Sequence, residues 1–350
     1  MTPLKKILMR STLDVLYYSQ LFRLLEAASA GVIFTLHHVA EPGQARDFCP
    51  NRILDITPQF LDATIKQVRA AGYDIVSLDE VEQRLSSGNR GRKFVAFTLD
   101  DGYLDNYTHA LPVFEQNKAP FTVYVATGFP DAQVMMWWEV LEKIINERER
   151  VEMVVDGQLL AFDTETGQKK YQAFDAIYWA LRALPHEQQY ADIDGIVEQY
   201  QFDWQALCRS CSMSWEQIRQ LDKSPLATIG AHTVQHYALS KLSPQQVQDE
   251  AVRGRDIITE KTGVEPRHFS YPYGDAGSAA GREFELIKAL GFSTATTTRK
   301  GLLFPEHGQH LHALPRVSLN GDYQSARYVK LFLNGAPFAL SNRFQRLVVD

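Results

Sequence analysis

The segment that decides the fold is Phe94-Val95-Ala96-Phe97-Thr98-Leu99-Asp100-Asp101-Gly102-Tyr103, in which an apolar run ends in two adjacent carboxylates and a glycine. The apolar run predicts a β-strand, and successive side chains of a strand point to opposite faces. Asp100 and Asp101 can therefore reach one pocket only if the strand ends there and the chain turns. Gly102 permits such a turn. The ordinary alternative is the Asp-Gly turn of a hairpin.

A second segment decides between these readings of the first. It is Ala227-Thr228-Ile229-Gly230-Ala231-His232-Thr233-Val234-Gln235-His236. On a helical turn, His232 and His236 share a face because they are four residues apart. Two imidazoles and one carboxylate can hold a divalent transition metal and leave positions open for water and substrate. Both segments are apolar strands followed by polar residues, as at the active ends of α/β barrels. We therefore predict a metal site of His232, His236 and one of the two carboxylates.

These segments also carry a family resemblance. Residues 98–102 resemble the first motif of the polysaccharide deacetylases, the NodB-homology group of carbohydrate esterase family four, and residues 232–236 resemble the second. Phe269-Ser270-Tyr271-Pro272-Tyr273-Gly274 resembles the Pro-Tyr motif in the form found in the exopolysaccharide deacetylase branch. Three motifs in the expected order make a specific signal. The resemblance implies an α/β fold, a distorted (β/α) TIM-like barrel over residues 31–325.

The resemblance further implies a metal-dependent hydrolase that removes N-acetyl groups from amino sugars of an oligo- or polysaccharide. By analogy with the family, Asp100 is the general base, Asp101 is a metal ligand, and the backbone N–H of Tyr273 stabilises the oxyanion. Tyr271 and Pro272 of the same motif are expected to contact the substrate. Zinc is the expected cofactor, with cobalt or nickel as alternatives, since imidazole and carboxylate ligands suit all three.

The proton donor for the leaving amine is assigned by comparison within the family. The usual Leu-x-His motif near the C-terminus is not reproduced, because Leu311 is followed directly by His312. In the exopolysaccharide branch a histidine after the first strand takes this role, and Phe34-Thr35-Leu36-His37-His38-Val39 occupies that place. We expect His37 to be the acid, with His38 and His312 as alternatives.

Two further features are expected at the site. Arg316 is predicted to orient the Asp100 carboxylate, because no arginine precedes Tyr271 in the motif where relatives often carry one. Trp137 and Trp138 open an interruption of the barrel pattern, and aromatic faces stack on sugar rings. One of these indoles is therefore expected to bind substrate, while packing in the core is the alternative.

Composition limits the class of protein. The chain has 350 residues, 45% hydrophobic and 22% charged, which is typical of a globular protein with a substantial core. Its net charge of −6 gives no general attraction to nucleic acid. Three cysteines do not make a disulfide framework, and the CxxC of Cys208 and Cys211 has no second pair. An N-acetylated glycan is the expected partner, as the family resemblance implies.

The N-terminal residues 1–30 form a separate feature. Lys5, Lys6 and Arg10 precede a mixed apolar and polar stretch that lacks the continuous apolar core of a secretory signal. The pattern predicts an amphipathic helix that covers the barrel floor, and contact with a membrane surface is the alternative. No stretch is long and apolar enough to span a membrane. The expected location is the cytoplasm, with peripheral contact to the inner membrane as a variant.

The order of elements completes the prediction. Strands alternate with helices along the chain, which favours a parallel sheet covered by helices. Residues 131–213 interrupt this alternation and are predicted to be an insertion that forms a lid, a wall of the substrate groove or a dimerisation element. Residues 326–350 are predicted to be a C-terminal tail. Deformylation, O-deacetylation of a lipid-linked or small glycan, and an inactive carbohydrate-binding barrel are the alternative functions.

Overall fold

The structure is a computed structural model that describes residues 3–41, 43, 47–88 and 91–349, with side chains from residue 7 onward. Its strands are β1 (Gly31–Leu36), β2 (His38–Val39), β3 (Asp55–Ile56), β4 (Asp74–Ile75), β5 (Phe94–Leu99), β6 (Phe121–Val125), β7 (Arg150–Val155), β8 (Gln158–Asp163), β9 (Ala227–Ala231), β10 (His268–Ser270), β11 (Thr294–Lys300) and β12 (Leu314–Ser318).

The helices alternate with these strands over most of the chain. They are α1 (Pro3–Tyr18), α2 (Pro58–Ala70), α3 (Leu78–Ser86), α4 (Leu111–Gln116), α5 (Trp137–Asn146), α6 (Gly167–Ala183), α7 (His186–Tyr200), α8 (Trp204–Cys211), α9 (Trp215–Asp222), α10 (Pro244–Thr262), α11 (Gly281–Ala289), α12 (Ala326–Asn334) and α13 (Ala336–Ser341).

Seven parallel strands close into a barrel surrounded by helices. The strand order is β1, β12, β11, β10, β9, β6 and β5, and β1 pairs with both β12 and β5. The short β4 pairs with β5 outside this closed ring. The predicted distorted (β/α) barrel is therefore confirmed. All residues of β1 and β5 are buried, which explains why both read as continuous apolar runs.

The close approach of β1 and β5 requires a glycine. A Cβ atom at Gly31 would lie 2.4 Å from the carbonyl oxygen of Phe94, its register partner. No other residue fits there without separating the two strands. The first strand of the barrel can therefore pair directly with the strand that carries the two carboxylates, and their carboxyl ends meet at one edge.

Local sequence signals set several boundaries correctly. Helix α2 begins at Pro58, with the Thr57 side chain accepting a hydrogen bond from the Phe60 N–H at 3.1 Å, as predicted. Strand β4 ends at Ile75, and a helix begins soon after it. Ser77 caps α3 by accepting from the Glu80 N–H at 3.3 Å, so the helix begins at Leu78. Strand β12 was not predicted, because its second residue is a proline.

The segment predicted as an insertion, residues 131–213, lies between β6 and α9. It contains helices α5 to α8 and the hairpin of β7 and β8, whose turn is Asp156-Gly157 as predicted, with φ of 50° and 73°. Its buried apolar side chains form a hydrophobic cluster separate from that of the barrel strands. The segment therefore has its own small core above one side of the barrel.

The two terminal segments pack together. Helix α1 lies against α12, and the Arg327 side chain donates to Asp14 at 2.7 Å. The helix thus runs along the side of the barrel, which differs from the predicted position on the floor. Helix α12, within the segment predicted to be a C-terminal tail, buries five side chains in the main core. Among the described helices, none has the length and apolar content needed to cross a bilayer.

Candidate active site

The two carboxylates of the first motif lie at the carboxyl end of β5. Asp101 has φ of 74° and Gly102 has φ of 72°, so the chain turns through the left-handed region directly after the strand. This turn lets both Asp100 and Asp101 face one pocket, in which their side chains are buried. A non-glycine residue in this region costs on the order of 1 kcal/mol, and such strain is common at functional sites.

Asp101 meets the two histidines of the second motif. Its Oδ1 lies 3.3 Å from His232 Nε2 and 3.1 Å from His236 Nε2. One possible ligand atom from each residue lies within 4.8 Å of those of the other two, and all three residues are buried. The expected helical turn is wrong, because Thr233 and His236 have φ of 66° and 56°. A strained loop after β9, rather than a helix, brings the rings together.

The chemistry of this cluster fits a metal ion. His232 donates from Nδ1 to the Ser270 carbonyl oxygen at 2.7 Å, which leaves the Nε2 lone pair facing Asp101. Burial lowers the pKa of His236 despite the opposing charge of Asp101, and so favours the neutral ring that a metal requires. Burial raises the pKa of Asp101, but the two histidines outweigh it and hold that pKa well below its ordinary value. One carboxylate and two imidazoles could therefore hold a metal ion.

Asp100 has a different environment. Arg316, on β12, donates from its two terminal nitrogens to the two oxygens of Asp100 at 2.7 and 2.6 Å. The same guanidinium donates to Thr98 Oγ1, Ser270 Oγ and the Thr297 carbonyl oxygen. Burial raises the pKa of Asp100, but the charge and hydrogen bonds of Arg316 more than offset it and lower that pKa. The carboxylate is thus ionised and fixed in orientation.

The three candidate proton donors have separate positions. His37 follows β1 at the carboxyl end of the barrel, is half-buried, and interacts electrostatically with Asp100 and Asp101. Burial lowers the pKa of His37, against the attraction of those two carboxylates. His38 Nδ1 lies 2.5 Å from Asp105 Oδ2, and the His38 ring packs on the Tyr103 ring. His312 precedes β12 at the opposite end of the barrel and bonds the Phe292 carbonyl oxygen at 2.6 Å.

The Pro-Tyr motif forms a strained loop after β10. Tyr273 has φ of 61°, and its ring centroid lies 4.8 Å from that of His236. Its carbonyl oxygen accepts from Thr298 Oγ1 at 2.6 Å. Within the described part of the chain, the Tyr273 N–H has no hydrogen-bond acceptor. This amide is therefore available to an incoming oxygen beside the metal-ligand cluster.

Four residues expected to contact substrate lie in the interior. Trp137 and Trp138 are buried, and their indole N–H groups donate to the hydroxyls of Tyr273 at 3.0 Å and Tyr103 at 2.9 Å. Tyr271 is buried and donates from its hydroxyl to the His312 carbonyl oxygen, and Pro272 is also buried. The expectation of an indole as a sugar platform does not fit this placement. These side chains therefore support the site by packing in the protein interior.

Sequence reasoning missed one side chain that reaches this loop. Arg182, at the end of α6, lies with its guanidinium carbon 3.6 Å from the centroid of the Tyr273 ring. It also pairs with Asp275 at 3.3 Å and donates to Ser278 Oγ at 3.1 Å. No motif surrounds Arg182, so only the folded chain shows its position. Ser270 accepts hydrogen bonds from both His232 and Arg316, and its motif alone predicts no such role.

Part of a known enzyme is similar in sequence to most of this chain. The chain is 21% identical over 314 residues to the poly-beta-1,6-N-acetyl-D-glucosamine N-deacetylase of Escherichia coli K12, a match that covers 82% of this chain. The matched region is 36% of that relative, so the chain spans about a third of its length.

Solved structures with a similar fold include IcaB from Ammonifex degensii, with a TM-score of 0.55, 21% identity and coverage of 87% of this chain and 98% of that one. The Streptococcus pyogenes deacetylase PplD has a TM-score of 0.56 at 16% identity, with coverage of 88% and 99%. The family model for polysaccharide deacetylase matches residues 87–295, which include β5, β9, β10 and the motifs that follow them. The chain belongs to the polysaccharide deacetylase family.

Proposed function

We propose that this chain is a metal-dependent de-N-acetylase of N-acetylated amino sugars in a glycan. The single observation that supports this most strongly is that Asp101 and Asp100, both buried at the end of β5, lie in two different environments. Asp101 converges with His232 and His236, while the adjacent Asp100 is held by Arg316 and makes no bond to those histidines. One carboxylate is thus suited to hold a cation and the other to accept a proton.

Asp101, His232 and His236 would hold the divalent cation, with zinc preferred over cobalt or nickel. When bound, such a cation polarises an acetamide carbonyl and makes water more acidic. Asp100 accepts the proton of the attacking water. Arg316 fixes the direction of that carboxylate. Arg316 also keeps the carboxylate ionised, and a general base must be ionised to accept a proton.

The remaining roles fall to the two loops beside the cluster. The Tyr273 N–H donates to the oxygen of the acetyl carbonyl as negative charge develops on it. His37 gives a proton to the amine nitrogen as the C–N bond breaks, so that acetate and a free amino sugar leave. His37 suits this role better than His38, whose ring is engaged by Asp105, or His312, which is at the far end of the barrel.

The substrate class follows from the relatives. The Escherichia coli relatives are named for poly-beta-1,6-N-acetyl-D-glucosamine, so we propose a polymer or oligomer of N-acetylglucosamine as the substrate. Deformylation or O-deacetylation on the same scaffold is the second candidate, because the cluster would polarise either carbonyl in the same way. An inactive binding barrel is disfavoured, since the acid, base and ligand residues are all present.

Acetate release from N-acetylglucosamine oligomers tests the proposal. The chain is freed of metal with a chelator and then assayed with added zinc, cobalt or nickel. We expect acetate only after metal is restored, and none from the Asp100→Asn variant. Release of formate or of O-linked acetate, with no acetate from any N-acetyl glycan, would replace the proposal with the second candidate.

A further inference from the structure

Helix α1 has two apolar faces, and only one of them packs against the protein. Leu13 and Leu16 are buried in the main core. Helical spacing places the row 7, 8, 15 and 18 on the other side of the helix. The short turn Leu21–Leu25 continues the exposed apolar surface. Six large side chains are 50–83% exposed along this stretch, namely Ile7, Leu8, Val15, Tyr18, Leu21 and Leu24.

The C-terminal segment extends the same surface. Leu24 lines a cavity of about 350 Å³ together with Phe338, Phe344 and Arg346. Phe344 is 64% exposed, and Leu340 is also exposed. We call the exposed side chains of residues 7–24 and 340–346 the terminal surface. Isolated exposed hydrophobic residues need no explanation, but a continuous group of this size marks a contact site.

Charge indicates what the terminal surface contacts. Residues 1–30 and 326–350 together carry a net charge of about +5, because they hold eight Lys and Arg against three Asp and Glu. The rest of the chain therefore carries about −11, given a total of −6. Arg23 and Arg343 are exposed, and neither forms an ion pair with any residue that the structure describes. Arg10, Arg327 and Arg346 form ion pairs within the protein. The unpaired part of this excess, which includes Arg23 and Arg343, is what an acidic partner surface would neutralise.

We propose that the terminal surface docks on an anionic lipid bilayer, with α1 lying in the plane of the interface. Apolar side chains flanked by arginines are the composition of helices that lie on membranes, and Tyr18 is of a type enriched at the lipid–water boundary. A bilayer containing anionic lipid attracts basic residues near its surface. A second copy of the chain fits less well, because two basic surfaces would then face each other.

Co-sedimentation with vesicles tests this proposal, which does not depend on the catalytic function. The 350-residue chain is mixed with phosphatidylcholine vesicles and with vesicles that also contain phosphatidylglycerol. We expect binding to the second kind, weakened by added salt. The Val15→Glu/Leu24→Glu variant should lower the bound fraction at least tenfold, because both side chains are mostly exposed on the terminal surface.

The matched control is Val154→Glu/Leu159→Glu, which alters two exposed apolar residues of the β7–β8 hairpin. This control should bind vesicles like the parent chain, and both variants should keep their melting temperature and acetate release. Equal loss in both variants, or no preference for anionic vesicles, would overturn the proposal. So would a dimer in sedimentation velocity that only the Val15→Glu/Leu24→Glu variant abolishes, since that result assigns the surface to a second copy.

Discussion

At the scale of single residues, two neighbouring aspartates differ because of what each one touches. Asp101 contacts the two histidines, whereas Asp100 is bound in a bidentate pair by Arg316. Both residues directly follow β5, and their neighbouring side chains leave the strand end in different directions before the turn at Gly102. The two neighbouring carboxylates are thus suited to the different roles proposed for them, metal ligand and general base.

The Asp101→Asn and Asp100→Asn variants should separate these roles. We expect Asp101→Asn to lose metal affinity, and Asp100→Asn to retain metal while its kcat falls by about 10²–10⁴-fold, the usual contribution of a general base. Metal content after dialysis and acetate release measure the two effects. Because Asp100→Asn leaves Arg316 buried without its partner, a melting curve must first show that the variant folds. Equal metal loss in both variants would contradict the assignment.

His37 is expected to be the proton donor, and His312 offers a matched control at the other end of the barrel. The His37→Ala variant should lower kcat by about 10²-fold or more with unchanged metal content, because the leaving amine then lacks its acid. His312→Ala should retain the parent rate, since the His312 side chain bonds the Phe292 carbonyl oxygen at the far end of the barrel. A large rate loss in His312→Ala without unfolding would point to the alternative donor.

The pair of His38 and Asp105 predicts a pH-dependent stability. Burial alone would lower the pKa of His38, but the hydrogen bond and charge of Asp105 raise it from 6.5 to about 9. The folded state therefore holds this proton more tightly than the unfolded state does. The stabilisation is complete below pH 6.5 and is lost as the pH rises to about 9. Its size is on the order of 3 kcal/mol at most.

Urea denaturation of the His38→Gln variant from pH 6 to 9.5 checks this prediction. The variant should lose the most free energy of unfolding at pH 6 and much less at pH 9.5. Asp105→Asn removes the same interaction from the other side and should flatten the same part of the curve. If both variants keep the full pH dependence of the parent chain, another group is responsible.

At the scale of elements, the insertion is tied to the Pro-Tyr loop by two of its helices. Trp137 on α5 donates to the Tyr273 hydroxyl, and Arg182 on α6 lies over the Tyr273 ring and pairs with Asp275. The loop is strained at Tyr273, and strained backbone persists only where its surroundings hold it. These contacts suggest that residues 131–213 position the oxyanion donor, a role that differs from a lid.

Arg182→Met is expected to lower kcat by about 10-fold to 100-fold with little change in KM, because a displaced N–H would weaken binding of the transition state alone. Arg182→Lys should restore part of the rate, since it keeps the cation over the ring. Arg148→Met is the control, because Arg148 makes a similar contact with Tyr200 inside the insertion, 4.4 Å from its ring centroid. Equal rate losses in Arg182→Met and Arg148→Met would indicate a general effect on stability.

At the scale of the whole molecule, the proposed metal joins distant parts of the barrel. Asp101 follows β5 and the two histidines follow β9, and β6 lies between these strands. A cation that binds the folded barrel and not the open chain stabilises it by mass action, by about 2.7 kcal/mol at a free concentration 100 times Kd. Because the three proposed ligands are buried in the folded barrel, cation binding is coupled directly to folding.

Thermal unfolding should therefore depend on metal. Zinc added to metal-free protein is expected to raise Tm by a few degrees, and a chelator should reverse the change, as about 2–4 °C per kcal/mol is usual for large domains. The Asp101→Asn variant should show little of this shift. A Tm that rises equally in the variant and in the parent chain would show that zinc binds elsewhere.

The sequence by itself determined the alternation of strands and helices and the two segments that bring Asp101, His232 and His236 together. Apolar runs that end in polar residues indicated these segments directly. The closed barrel and the separate roles proposed for Asp100 and Asp101 came from the resemblance of short motifs to the family. The pairing of Arg316 with Asp100 was also predicted, through the resemblance rather than through local pattern, since the two are 216 residues apart.

Only the tertiary structure decided which side chains face the site. Strand spacing could not separate His37 from His38, whereas the contact of His38 with Asp105 does. Aromatic character suggested that Trp137 binds sugar, but packing against Tyr273 buries it. Arg182 belongs to no motif and reaches the Tyr273 loop only when the insertion folds onto the barrel. Contacts of this kind depend on how the closed barrel brings distant segments together, and local periodicity carries no record of them.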